Sequence, residues 1–485
     1  MDNKDLKNKT LSGLTWKLLE NFGAQFISFV IQIVLARILM PEDYSIIALA
    51  TVFIAIGNVF IQTGFAPALI QKKEVNELEL SSVFHLGILV SLSIYFIIYV
   101  SAPFISIFYE EQALTGILRI QSITIIFASI SSVHNALLVR NLQFKKMFKF
   151  RTLALILQGI VGIFLATQGF GVWALVYANM VNSITMAISL FIVIDWRPKL
   201  VFSISKINKL FSFSSRILIM NLSNTIYNNI KSLIIGKSFE PAVLGYYNRG
   251  IQIPTLIMVN TDGAINTVMF PVLSSCQNDR SGFLSAYRRA LKTSCYLVFP
   301  MMIGLAAVAR PLTLLLLTDK WLPSVPFMMI ACLTCMTWPF SIRIQAFNAI
   351  GRSDLSLKLN IVGKTIGVLF MFFSLPFGVY AFVVGFLISS IIGVLIGAIV
   401  SVRILDYKIV HQIKDILPSL ILSLFMGVVV TSMNLIFDNI VLSLGIQVIV
   451  GVVIYIGGSY IFKLESFSYL YKIVAGITKR NNINN

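Results

Sequence analysis

The segment from Arg216 to Ile235, RILIMNLSNTIYNNIKSLII, is mostly apolar, yet it carries an arginine, a lysine and four asparagines. Its length matches the roughly 20 residues that a helix needs to cross a bilayer. An ionisable group at the centre of such a span costs about 2.5–3.5 kcal/mol on insertion scales. The segment therefore predicts a membrane helix whose polar groups are kept for a function.

The composition of the whole chain places it in the same class. Of its 485 residues, 57% are hydrophobic and only 12% are charged, and the mean hydropathy is +0.87. Soluble proteins carry about 25% charged residues. The apolar residues also form long runs rather than alternating with polar ones. We therefore predict an all-α polytopic membrane protein. The first run, at 11–38, is longer than the apolar part of a signal peptide, about 7–15 residues, and is interpreted as the first span.

Fourteen hydrophobic segments are predicted to cross the membrane. Their approximate limits are 12–38, 44–70, 81–108, 113–138, 151–167, 171–194, 208–236, 244–270, 292–317, 322–350, 355–375, 377–402, 413–436 and 440–462. The eleventh and twelfth segments are separated only by a short turn containing Pro376 and Gly378. An even number of spans places both chain termini on the same side of the membrane.

The distribution of Lys and Arg predicts which side that is. The N-terminus, every second loop and the C-terminal tail are rich in these residues, whereas the intervening loops, such as YEEQ at 109–112 and FDN at 437–439, have almost none. Short loops rich in Lys and Arg stay in the cytoplasm. Both termini are thus predicted to be cytoplasmic. The net charge of +18 is explained by this topology and predicts no nucleic-acid partner.

Four short motifs recur in order at an offset of about 200–213 residues, which predicts an internal repeat. The pairs are LMPEDY (39–44) with FEPAVLGY (239–246), APFISIF (102–108) with RPLTLLL (310–316), NALLVR (135–140) with NAIGR (348–352), and FGVWALV (170–176) with FGVYAFV (377–383). We predict two six-helix lobes, 1–200 and 201–404, related by a pseudo-two-fold axis along the membrane normal. A trailing helix pair and cytoplasmic tail follow at 405–485. Transporters built from such repeats bind substrate between the halves.

Cations outnumber anions inside the predicted spans. The cations are Arg119, Arg216, Lys231, Arg249, Arg343 and Lys364, whereas the anions are Glu20 and Asp262. Such an excess suggests that the missing anion is the substrate. The predicted substrate-binding residues are Arg216, Lys231, Arg249, Lys364, Arg119, Asn224, Asn228 and Gln252. The alternative is that the amides, and to a lesser degree the cations, join neighbouring helices.

No catalytic or metal-binding arrangement is predicted. His85, His134 and His411 are scattered through the chain without the spacing of metal ligands. Cys332 and Cys335 form a CxxC inside an apolar span, without a second pair or a nearby histidine, and are interpreted as packing residues. The prediction is a transporter with no cofactor and no enzymatic activity.

Three stretches resemble the Wzx-type polysaccharide flippases. They are LARILMPEDYSIIALATVFIAIGNVFIQTGFAPALIQKK at 35–73, NALLVRNLQFKK at 135–146 and GFGVWALV at 169–176. More narrowly, they are similar to the branch that contains the colanic-acid and teichuronic-acid exporters. That branch belongs to the multidrug/oligosaccharidyl-lipid/polysaccharide exporter superfamily. The resemblance covers the whole chain and is strongest in the first 180 residues.

This resemblance implies a function in the bacterial cytoplasmic membrane. Such proteins are thought to flip undecaprenyl-diphosphate-linked oligosaccharide repeat units from the inner to the outer leaflet, by alternating access. The glycans serve O-antigen, capsule or exopolysaccharide synthesis. The implied partners are the lipid-linked oligosaccharide, membrane lipids, and the polysaccharide polymerase and export machinery. The diphosphate would be the anion that the cationic interior lacks.

Two other functions stay open at this point. A cation-coupled multidrug exporter of the same superfamily would need acidic residues, and Glu20 and Asp262 are the candidate ion-coupling groups. A channel or scaffold would show no functional asymmetry between its two faces.

Overall fold

The computed structural model describes residues 3–64, 69, 75–277, 279–435 and 439–472. All regular elements in these ranges are α-helices or short 3-10 segments. Twelve helical segments of the described chain are long and apolar enough to cross a membrane. The predicted all-α, multi-pass membrane fold is therefore confirmed, whereas the count of fourteen spans and the orientation of the termini stay predictions.

The chain divides into two compact units, Met1–Gly245 and Tyr246–Asn485. The helices that begin in the first unit are α1 (Asn3–Ile38), α2 (Pro41–Gly64), α3 (Glu77–Tyr109), α4 (Ala113–Gln121), α5 (Ile123–Arg140), α6 (Phe144–Thr167), α7 (Val172–Val193), α8 (Ile204–Ser238) and α9 (Pro241–Ser275). Helix α9 continues across the boundary into the second unit. The predicted lobe boundary at 200/201 remains a prediction.

Within the described residues, the second unit continues with eight further helices. They are α10 (Arg280–Ala307), α11 (Ala309–Leu317), α12 (Val325–Cys335), α13 (Ile342–Ala349), α14 (Ser353–Ser374), α15 (Val379–Leu405), α16 (Ile409–Ser432) and α17 (Ile440–Ile461). Its buried core lies around Phe283, Tyr287, Leu291 and Phe347. The span at Asp319–Ala349 is interrupted: a 3-10 segment at Trp338–Ser341 separates α12 from α13.

The two copies of the recurring motifs have matching local structure. Pro41 and Pro241 each occupy the first position of a helix, where the fixed φ of proline is tolerated. Gly171 (φ 54°) and Gly378 (φ 94°) each precede a helix in a conformation that glycine favours. Glu110 (φ 58°) and Thr318 (φ 83°), 208 positions apart, follow the last residues of α3 and α11. The sequence repeat is therefore also a repeat of helix ends and turns.

Small residues allow the helices of the first unit to pack closely. A Cβ at Gly159 of α6 would lie 2.7 Å from Ile31 of α1, and one at Gly162 would lie 3.0 Å from Ala178 of α7. Close approach at small residues is typical of helix packing in membranes. Large apolar side chains remain exposed on both units, among them Phe104 (71%) and Phe373 (76%). Such exposure suits contact with lipid rather than with water.

Candidate functional site

Helix α8 carries the polar face on which the sequence prediction rests. Asn224 and Lys231 are half-buried, whereas Asn228 is exposed. The backbone of Arg216 lies within α8, but its side chain is outside the described residues. Asn229 donates to the carbonyl of Thr225 at 2.8 Å, so this amide is bonded within its own helix. These polar residues thus lie on one continuous helix.

Arg119 of α4 is held against the neighbouring helix α3. Its Nε donates to the Tyr99 carbonyl at 3.4 Å, and its guanidinium carbon lies 4.2 Å from the centre of the Tyr99 ring. A cation over an aromatic face is stabilised by the charge distribution of the ring. Arg119 therefore already makes one hydrogen bond and one cation–π contact with α3.

Arg249 and Gln252, both predicted from sequence, are brought together in the second unit. Arg249 is only 7% exposed, and its Nη1 donates to Gln252 Oε1 at 2.6 Å. The guanidinium carbon also lies 5.7 Å from the ring centre of the fully buried Trp321. The structure holds this cation in a fixed position on α9. Lys364, on α14, is half-buried.

The two candidate ion-coupling carboxylates have different surroundings. Glu20 of α1 is fully buried and accepts a hydrogen bond from Arg151 Nη1 of α6 at 2.9 Å. Asp262 of α9 accepts one from the Ser341 hydroxyl at 3.0 Å, at the interruption between α12 and α13. Arg151 is the first residue of the predicted span 151–167, and no pattern in the sequence linked it to Glu20, so the pair was missed. Whether either carboxylate couples an ion stays a prediction.

A group of charges that we call the Asp415 cluster joins α10 to α16. Asp415 is bonded by Arg288 through Nε at 2.7 Å and Nη2 at 2.9 Å, by Lys292 at 3.1 Å, and by the Tyr407 hydroxyl at 2.5 Å. Lys292 also reaches Glu465 at 2.7 Å. In the sequence, Arg288 precedes the predicted span 292–317, and Lys292 is its first residue. Their partner is more than 100 positions away, so no local pattern indicated the pairing.

Outside the apolar helices, a further ion pair joins the ends of α3 and α8. Lys237 lies 2.7 Å from Glu110, and this hydrogen bond and the lysine charge lower the pKa of the Glu110 carboxyl below its ordinary value. Both side chains are solvent-accessible, so the contribution of the pair to folding is small.

Arg343 of α13 is the most deeply buried of the predicted intramembrane cations whose side chains the structure describes, with 3% of its surface exposed. Its Nη1 donates to the carbonyl of Val394 in α15 at 3.0 Å. The sequence analysis counted Arg343 among the intramembrane cations but left it out of the substrate-binding set. Burial that deep for a guanidinium was not readable from the spacing of polar residues.

Comparison with known proteins shows the family of the chain. Residues 34–326, more than half of the chain, match the model of a family described as "Polysaccharide biosynthesis protein". Teichuronic acid biosynthesis protein TuaB of Bacillus subtilis (strain 168) is 24% identical over 326 residues, which cover 67% of each chain. Succinoglycan biosynthesis transport protein ExoT of Rhizobium meliloti (strain 1021) is 26% identical over 309 residues, covering 63% of this chain and 62% of that protein.

A solved structure shows the same fold. Lipid II flippase MurJ, in an inward closed conformation, superposes with a TM-score of 0.73 at 20% identity, covering 93% of this chain and 98% of that one. The expectations of a multi-pass protein of the cytoplasmic membrane, and of a transporter rather than an enzyme, are confirmed. The chain belongs to the polysaccharide biosynthesis protein family of membrane proteins.

Proposed function

We propose that the protein flips undecaprenyl-diphosphate-linked oligosaccharide repeat units from the inner to the outer leaflet of the cytoplasmic membrane. The glycans would serve surface polysaccharide synthesis, and access to the two faces of the membrane would alternate. The observation that carries the proposal is the positive charge buried at Arg343, which has 3% of its surface exposed. A buried cation is costly unless an anion compensates it.

The relatives narrow the class of anion. One is named for teichuronic acid biosynthesis and another for succinoglycan transport, and the structural neighbour is a lipid II flippase. A glycan joined to a lipid through a diphosphate would compensate the buried positive charge. It would also agree with the polysaccharides for which the relatives are named. We assign binding of the diphosphate to Arg216, Lys231, Arg249 and Lys364, with Arg119 as a further cation. Asn224, Asn228 and Gln252 would donate to glycan hydroxyls. The polymerase and export machinery would act next on the product.

The proposed topology has fourteen spans and both termini in the cytoplasm, with α8 and α9 crossing in addition to the twelve apolar segments. These two helices have 35 residues each, which exceeds the roughly 20 needed to cross a bilayer. The matching turns at Gly171 and Gly378 support two lobes of the same fold and orientation.

Deletion of the gene tests the function. Lipid-linked oligosaccharide is expected to accumulate on the cytoplasmic side of the membrane and surface polysaccharide to fall, with both restored by the wild-type gene. The lipid-linked fraction is measured by extraction and mass spectrometry. Unchanged glycan levels together with increased sensitivity to cationic drugs would instead favour the multidrug exporter.

Thiol labelling tests the topology. Cysteines introduced at Gln168 and Asn439 should react with an impermeant reagent in intact cells, provided that the reagent can reach the membrane surface. Cysteines at Lys146 and Arg289 should react only after the membrane is opened. All four positions are exposed, so lack of labelling does not reflect burial. Cys276, which is half-buried, should first be changed to serine to lower the background. Labelling of the cysteines at Lys146 and Arg289 in intact cells would contradict the fourteen-span topology.

A further inference from the structure

Two of the three guanidinium nitrogens of Arg343 are unused in the described structure. Nη1 donates to Val394, whereas Nε and Nη2 are buried and have no hydrogen-bond partner among the described residues. No described carboxylate forms a salt bridge with this arginine. Burying a cation with unpaired N–H groups is costly, and an apolar side chain would pack more favourably. A role in packing alone therefore does not explain an arginine here.

The neighbouring helix leaves space for this side chain. A Cβ at Gly397 of α15 would overlap Arg343 Nη1 and lie 3.0 Å from its guanidinium carbon, so a larger residue would displace the guanidinium. Gly393, one turn earlier on the same face of α15, has no atom within 4 Å of the position that a Cβ would take. On this face of α15, the guanidinium of Arg343 packs against Gly397, and the space beside Gly393 is open.

Two other arginines of the second unit use the Nε–Nη2 edge that has no described partner in Arg343. Arg288 holds Asp415 through Nε and Nη2 at 2.7 and 2.9 Å. Arg352 holds Asp354 through the same two nitrogens at 2.9 and 3.1 Å. This edge presents two parallel N–H groups that match two oxygens of a carboxylate or a phosphate. In Arg343 it is this edge that has no partner.

We propose that Arg343 is an anion-binding residue whose Nε–Nη2 edge receives two oxygens of a phosphate group. The edge is closed in the described conformation, so the phosphate enters when α13 moves away from α15, and the Nη1–Val394 bond holds the guanidinium in place otherwise. The phosphate belongs to the lipid-linked carrier or to a phospholipid headgroup, which offer the same oxygen pair. The carrier as ligand rests on the proposed function, whereas the headgroup does not.

Thermal unfolding of the purified protein tests this site. The probes are inorganic pyrophosphate, phosphatidylglycerol and undecaprenyl diphosphate, each added separately to protein in a neutral detergent. At least one probe is expected to raise the melting temperature of the wild type. Arg343→Met and Arg343→Gln should weaken the apparent affinity for that probe about tenfold or more, because a bidentate charged contact is lost. Arg343→Lys should retain part of it, since the charge remains.

The control is Arg352→Gln, which removes an exposed arginine of the same unit and should leave the response unchanged. The melting temperature without probe shows whether each variant folds, and we expect Arg343→Met to match or exceed the wild type. A response to phosphatidylglycerol identifies a headgroup and a response to undecaprenyl diphosphate identifies the carrier, whereas a response to pyrophosphate as well shows that phosphate oxygens alone are sufficient for binding.

The proposal is overturned if no probe stabilises the wild type, or if Arg343→Met responds like the wild type. The unfolding assay requires no glycan export. Its outcome is therefore independent of the gene-deletion test of the proposed function. A deletion strain with normal glycan levels would contradict the flippase function, whereas the response of Arg343 to phosphatidylglycerol would still be measurable.

Discussion

Replacing Lys231 or Lys364 with glutamate is expected to reduce glycan export far more than replacing it with glutamine. Glutamine loses one charged contact with the diphosphate, worth about 1.5–3 kcal/mol, which corresponds to a roughly ten- to hundredfold lower rate. Glutamate adds repulsion on the order of 4 kcal/mol for charges about 4 Å apart at a protein surface. Export by the glutamate variants should therefore fall below detection.

The distance between the assigned cations explains why reversing one charge should stop transport. Arg216 and Lys231 are separated by 15 positions of one helix, or about 22 Å at 1.5 Å per residue. One diphosphate cannot contact both, so each cation would serve a different stage of transport. Binding at each stage must be similar, since the substrate would otherwise stay at the tightest position. Reversal of any one charge is then enough to stop transport.

The control is Lys358, which lies on the same helix as Lys364 but is exposed. Lys358→Glu should export glycan at nearly the wild-type rate. The measurement is surface polysaccharide in a deletion strain that expresses each variant at a matched level. Near-normal export by Lys231→Glu and Lys364→Glu would contradict the assignment and leave both lysines as contacts between helices.

Replacement of Asp415 with alanine is expected to destabilise the second unit by roughly 2–4 kcal/mol. Asp415 is 7% exposed and holds Arg288 and Lys292, which would be left close together without a counterion. Breaking a fully buried pair costs about 3–5 kcal/mol. We expect less here, because the Arg288 side chain is 36% exposed and water screens part of its charge. The loss should be measured by thermal unfolding of the purified protein.

Asp354→Ala is the matched control for this variant. Asp354 holds Arg352 with the same bidentate geometry, but both side chains are about half exposed, at 48% and 49%. Its loss should lower the stability far less than the loss of Asp415, because water screens an exposed pair. If Asp415→Ala and Asp354→Ala lower the melting temperature equally, the Asp415 cluster does not hold α16 to α10.

The sequence by itself determined the class of the fold, because long apolar runs have one stable arrangement in a bilayer. A backbone in hydrocarbon must satisfy its own hydrogen bonds, so such runs form helices. Local chemistry also determined several helix ends. Pro41 and Pro241 begin helices, and Gly171 and Gly378 provide the conformations that precede α7 and α15. The repeated motifs were therefore readable before the structure.

Only the tertiary structure decided which polar groups are already compensated. Glu20 meets Arg151, Arg249 meets Gln252 and Asp415 meets Arg288, and two of these pairs join residues more than 120 positions apart. Helical periodicity places residues on a face of one helix, but it does not identify the helix that packs there. Lys292 is bound to two carboxylates, those of Asp415 and Glu465, which lie more than 100 positions further along the chain. The unused edge of Arg343 likewise emerged only once α13 was packed against Gly397, because hydrogen-bond satisfaction depends on both partners and their distance.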